Sequence, residues 1–271
     1  MYLTSTQKVS STSRSVEFEY LIAREGEPSV VFLNGYRMHF KSWGKVYKAI
    51  AAQNSVFLYN RLGIGKSSKP HEPQNGLTVV ENVHKLLAAV DVKPPYVLVA
   101  HSMGGLMAEL YARTFQEEVV GIVFVDCPHP DEIAEMKKFK MPLILEGLNF
   151  VLSAIDKLLS RYVHSEDENI EKTVSEIKQA GDFPEIPIVI ISGQKKMPFV
   201  PVPAFNMHQS YQRKILELSP YSSQIECYKS GHFPQISEPN RVISSINDIL
   251  FRFTSANKLS QQDAQKARSS A

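Results

Sequence analysis

The chain is poor in the features that mark several protein classes. It has two cysteines in 271 residues, Cys127 and Cys227, neither in a C-x-x-C pair nor at a metal-ligand spacing. A disulfide-stapled scaffold and a cysteine-based metal site are therefore excluded, and the two are read as plain buried thiols. No run approaches the roughly 20 apolar residues of a membrane span. The longest apolar-rich stretch, Met141 to Tyr162, is broken by Glu146, Asn149, Asp156, Lys157 and Arg161. The first residues, MYLTSTQKVSSTSRS, contain no apolar core of a secretory signal, so a cytoplasmic protein is expected, without membrane insertion. Charge of one sign is also lacking. Lys and Arg number 30 against 28 Asp and Glu, and the small surplus falls in residues 254–271, with Lys258, Lys266 and Arg268 against Asp263. Nothing in this balance attracts nucleic acid.

What is present is an ordinary globular composition, 43% hydrophobic and 21% charged. Short apolar runs alternate with helical patterns. Val16–Ile22 alternates as a half-buried strand does. The runs at 29–33 (SVVFL), 56–59 (VFLY), 96–100 (YVLVA), 121–125 (GIVFV) and 187–191 (PIVII) are continuous, and Gln224–Lys229 reads as a further strand. Helical patterns cover 77–90, 103–115, 205–218 and 239–253. Continuous Val/Ile/Leu runs separated by helices predict an α/β fold: a mostly parallel central sheet flanked by helices and buried on both faces. Sites in such sheets lie at the carboxyl ends of the strands. The interval between Asp126 and Pro187 has helical spacing but no strand. Its face of Ile144, Leu148, Val151, Leu152, Ile155, Leu158 and Leu159 predicts a helical cap insertion. The expected organisation is a flexible arm over 1–15, a core over 16–130 and 185–253, a helical cap over 131–184, and a flexible tail over 254–271.

One segment carries the chemistry. Ala100-His101-Ser102-Met103-Gly104-Gly105 follows the YVLV strand directly and precedes a helix. Small residues two before and two after Ser102 permit the tight, strained strand–turn–helix bend that exposes a nucleophile. Ser102 would then sit where helix amides favour developing negative charge. Gly63-Ile64-Gly65-Lys66-Ser67-Ser68 echoes a phosphate loop but lacks its spacing, so no nucleotide cofactor is expected. No histidine pair has metal-ligand spacing, and none of His39, His71, His84, His129, His164 and His208 is read as a site residue.

From these residues the chain resembles the α/β-hydrolase family over about 16–253. Asn34-Gly35 follows the first core strand, where the family has its oxyanion loop, most often His-Gly. Asn60 to Ser68 is similar to the family's D-x-R-G-x-G-x-S turn, with Arg61 in the basic place. Glu238-Pro239 follows the segment Ser230-Gly231-His232-Phe233-Pro234. The resemblance implies Ser102 as nucleophile and His232 as general base. It also implies backbone N–H groups of Met103 and Tyr36, beside Gly35, as the oxyanion hole. His101, within the elbow, is expected to pack or hydrogen-bond there.

The third member departs from the family's usual place. The loop after PIVII reads Ser192-Gly193-Gln194-Lys195-Lys196 and has no carboxylate. The family's other solution puts the acid after the preceding strand, which is Asp126; Asp131 and Glu132 are the remaining candidates. The expected function is a serine hydrolase acting on a small to medium carboxylic-ester-like substrate through an acyl-enzyme, with no cofactor and no metal. Two alternatives stay open: a ligand-binding receptor on the same fold, and a cofactor-free lyase or perhydrolase with the same triad. Ser102 argues against epoxide hydrolase and dehalogenase chemistry, which uses Asp at that turn. Oligomeric state is not legible.

Overall fold

A computed structural model describes residues 2–10, 14–23, 27–136, 138, 166–198 and 200–269. The apolar runs become strands: β1 (Leu3–Ser10), β2 (Ser15–Ala23), β3 (Ser29–Leu33), β4 (Val56–Tyr59), β5 (Tyr96–His101), β6 (Val119–Val125), β7 (Ile188–Gly193) and β8 (Ser222–Cys227). They form one sheet in the order β1-β2-β4-β3-β5-β6-β7-β8. β1 with β2 and β2 with β4 are antiparallel; every later pair is parallel. The expected flexible arm is thus a strand over most of its length. β1 pairs with β2 from Leu3↔Ile22 to Ser10↔Ser15, so backbone pairing orders a segment whose polar composition suggests a loose end.

The helices are α1 (Gly44–Ile50), α2 (Gly76–Ala89), α3 (Gly104–Thr114), α4 (Pro130–Met136), α5 (Ile170–Gln179), α6 (Val202–Lys214), α7 (Pro234–Ser237) and α8 (Pro239–Ser269). Successive strand residues point to opposite faces. Accordingly Val31 and Leu33 pack with Val80, Leu87 and Leu110 of α2 and α3, while Val30 and Phe32 pack with Val46, Ile246 and Ile249 of α1 and α8. Both faces are covered, which is why the core strands read as continuous apolar runs. The expected flexible tail is also different: α8 continues as helix to Ser269.

Of the interval expected to form a cap, α4 and α5 are described. The apolar face from Ile144 to Leu159 lies outside the described residues. α5 docks on the core through its polar side as well as Ile177. Glu176 accepts from the Leu77 backbone N–H at 3.0 Å and from Asn75 Nδ2, and Thr173 Oγ1 accepts from Gly76 N at 2.8 Å. A carboxylate therefore satisfies the exposed amides at the start of α2. Among the described residues no helix is long and apolar enough to cross a membrane.

Candidate active site

β5 runs without a break into Ser102, which adopts φ +51° before α3 begins at Gly104. That left-handed backbone is disfavoured for a side chain and persists only where the surroundings enforce it. The surroundings are close. Ser102 N donates to Val125 O, and a Cβ on Gly104 would lie 2.5 Å from Leu33 O and 2.6 Å from Asn34 O. Only glycine allows α3 to start against the end of β3.

Asn34 locks that end in place. Its Nδ2 donates to Tyr59 O at 2.8 Å, and its Oδ1 accepts from the indole N–H of fully buried Trp43 at 2.9 Å. Phe40 and Trp43 are core. The following carbonyls of Asn34 and Gly35 accept from Arg61. The turn after β4, with Gly63 and Gly65 at positive φ, is held by Glu19, whose Oε2 accepts from Asn60 Nδ2 at 2.7 Å and Lys66 N at 2.9 Å.

His232 comes from the loop after β8. Its Nε2 lies 2.9 Å from Ser102 Oγ, and its Nδ1 lies 2.7 Å from Asp126 Oδ2. Asp126 follows β6 at φ +49°, a second strained turn that the sequence does not announce. The structure therefore brings together Ser102, His232 and Asp126. Neither other candidate acid pairs with His232: Asp131 pairs with Lys178 and Lys214 at 2.7 Å each, and Glu132 pairs with His208. Glu238 organises the His232 loop by accepting from Lys229 N and Ser230 Oγ. His101 hydrogen-bonds to the His232 carbonyl at 2.7 Å through Nε2. Burial, reinforced by His232, pushes the His101 imidazole down to about 3, so it stays neutral and serves as a fixed donor.

Asp126 is buried, and its carboxylate is fully engaged. Gly193 N donates to Oδ1 at 2.9 Å and Gln212 Nε2 at 3.0 Å. The loop after β7, which lacks an acid, thus supplies a backbone donor to the acid of its neighbour. His208 stands on the far side, with Nε2 3.5 Å from Asp126 Oδ2 and 2.7 Å from Gln212 Nε2, and Nδ1 2.7 Å from buried Glu132. Burial alone would raise the Asp126 carboxyl, but hydrogen bonds from His208 and His232 outweigh it and hold the acid well below the usual range. Burial likewise disfavours the His208 cation, yet Asp126 and Glu132 overcome it and raise His208 to about 10. The sequence sets His208 aside for want of metal-ligand spacing. The available signal is the polar pair His208 and Gln212, four residues apart on one face of a predicted helix.

A cavity of about 380 Å³ opens over Ser102. Its walls are mainly apolar, with Met103, Ile133, Met136, Ile170, Ala204 and Phe205 among them, while Ser102, Asp126, His208 and His232 supply polar groups. Tyr36 instead borders a small neighbouring pocket with Arg61 and Glu166.

Residues 28–166 match the α/β-hydrolase fold family, which is about half of the chain. The chain belongs to that family. It is 29% identical over 232 residues to the uncharacterized protein YqjL of Bacillus subtilis, covering 82% of this chain and 83% of that one. Among solved structures, it resembles a probable hydrolytic enzyme of Pseudomonas aeruginosa, with TM-score 0.67, 18% identity and coverage of 92% and 94%. It also resembles a thermophilic esterase of Thermogutta terrifontis, with TM-score 0.63, 15% identity and coverage of 92% and 98%. At these identities the structural likeness speaks for the fold.

Proposed function

We propose that the protein is a serine hydrolase that cleaves a small to medium carboxylic ester by acyl transfer. One observation carries the reading: the unbroken hydrogen-bonded relay from Ser102 Oγ through both nitrogens of His232 to Asp126, at 2.9 and 2.7 Å. Asp126 accepts from Nδ1–H and so leaves the Nε2 lone pair facing the Ser102 hydroxyl. His232 takes the hydroxyl proton as Ser102 attacks the carbonyl carbon. It then returns that proton to the leaving alcohol, and a water repeats the cycle to release the acid. The tetrahedral oxyanion is held by the backbone N–H groups of Met103, at the start of α3, and Tyr36, after Gly35.

The apolar cavity favours an uncharged acyl group, and α4 and α5 are the described borders of a proposed cap over residues 131–184. Serine at the turn favours acyl transfer over epoxide opening, because an acyl-serine is hydrolysed at its carbonyl carbon. The thermophilic esterase among the structural relatives is in keeping with an ester substrate. Ser102→Ala, measured for short-chain p-nitrophenyl ester turnover and fluorophosphonate labelling beside the wild type, is the test. The expected outcome is turnover and labelling by the wild type and neither by the variant. A wild type that does neither overturns the proposal.

A further inference from the structure

The geometry points to Arg61 as the positioning residue of the oxyanion hole, with Glu166 as its anchor, an inference that rests on the acyl-transfer reading above. Arg61 is buried, yet it meets three acceptors. Its Nη1 donates to Asn34 O at 2.6 Å, its Nη2 donates to Gly35 O at 2.8 Å, and its Nε is bonded to the buried carboxylate of Glu166.

Two consecutive carbonyls on one guanidinium fix two consecutive peptide planes. Cis bonds among the described residues occur only before Pro28 and Pro95, so both planes are trans. In a trans peptide the C=O and the following N–H point in opposite directions. Turning Gly35 C=O onto Arg61 therefore turns the Tyr36 N–H away from it, and holding Asn34 C=O fixes the peptide before. This loop lies against the elbow: Gly35 packs on His101, and Leu33 O and Asn34 O abut Gly104. Met38 N also donates to Gly35 O, at 3.1 Å, so that carbonyl is held from two directions.

Only arginine suits the place. Its planar fork reaches both carbonyls while the third N–H meets a carboxylate; a lysine is a single point donor. Glu166 neutralises the buried cation and fixes its plane. Because Glu166 lies in the turn before α5, the oxyanion loop after β3 is tied to an element that borders the substrate cavity. A donor aimed at an oxyanion acts on the transition state and little on ground-state binding.

The test is Arg61→Lys, measured by ester turnover and by binding of an alkylboronic acid, which forms a tetrahedral adduct on serine. The expected result is a fall in kcat on the order of 10², the cost of one oxyanion donor. KM should stay within about threefold, and boronate affinity should fall by a factor similar to kcat. Arg61→Ala, assayed with and without millimolar methylguanidine, supplies a second readout, in which added guanidinium restores part of kcat. The inference is overturned if wild type turns over while Arg61→Lys keeps kcat and boronate affinity within about threefold, or if methylguanidine restores nothing to a folded Arg61→Ala. A wild type that hydrolyses no ester overturns the acyl-transfer reading, and this inference with it.

Discussion

Asp126 and His232 are 106 residues apart in the chain and 2.7 Å apart in the site. The contact is made by two loop ends, one after β6 and one after β8, that β7 holds side by side. Gly193 at the end of β7 completes the arrangement by donating its backbone N–H to the same carboxylate.

Asp126→Asn should therefore keep the fold and lose the reaction. Gly193 N still finds an oxygen, but the amide no longer selects the His232 tautomer that faces Ser102. Turnover of p-nitrophenyl esters should fall about 10⁴-fold, as for other triads deprived of their acid. A fall of less than about tenfold would show that the acid lies elsewhere.

Strain at Ser102 predicts a stability difference between two variants. Ser102 sits at φ +51°, where a Cβ is unfavourable and glycine is at ease. Ser102→Gly should be more stable than Ser102→Ala by about 1 kcal/mol. Urea denaturation of the two proteins decides it, and a Ser102→Ala protein more stable than Ser102→Gly would contradict a strained turn.

His208 predicts a pH-dependent contribution to stability. Its folded pKa is raised to about 10 by Asp126 and Glu132, from an ordinary value of 6.5. A raised folded pKa means stabilisation that is complete below about pH 6.5 and lost as pH climbs towards 10. The difference in unfolding free energy between wild type and His208→Gln should be largest near pH 6 and shrink by pH 10. Chemical denaturation at four or five pH values measures it, and a difference constant with pH would contradict the ionised contact.

The end of α8 should be dispensable for catalysis. Among the described residues of this helix the last buried apolar one is Leu250, and Phe251 is 72% exposed. Removing residues 254–271 should leave ester turnover within about twofold. A large loss would assign the segment a part in the site.

Much of this architecture is legible in the sequence. β3 and β4 coincide with the apolar runs, because strands buried on both faces read as near-continuous hydrophobic runs. The elbow is legible for a related reason: a bend this tight admits few residues, so Ala100, Ser102 and Gly104 form a local pattern. β1 is less legible. It is a mostly exposed edge strand rich in Ser, Thr, Gln and Lys, with Val9 its one buried residue, and pairing with β2 orders it. α8 is longer than its apolar periodicity, which ends with the face that meets the sheet.

By itself the sequence determined the alternation of strands and helices, the strained turn at Ser102, and the chain order in which Ser102, Asp126 and His232 emerge from strand ends. These depend on local sterics and on the period of burial, which neighbouring residues write directly. Tertiary structure alone decided that Asp126 reaches His232, that His208 and Glu132 share its surroundings, and that Arg61 grips two carbonyls while paired with Glu166. Those contacts join residues from about 25 to more than 100 positions apart, and at such separations what sets a distance is the stacking of strands in the sheet.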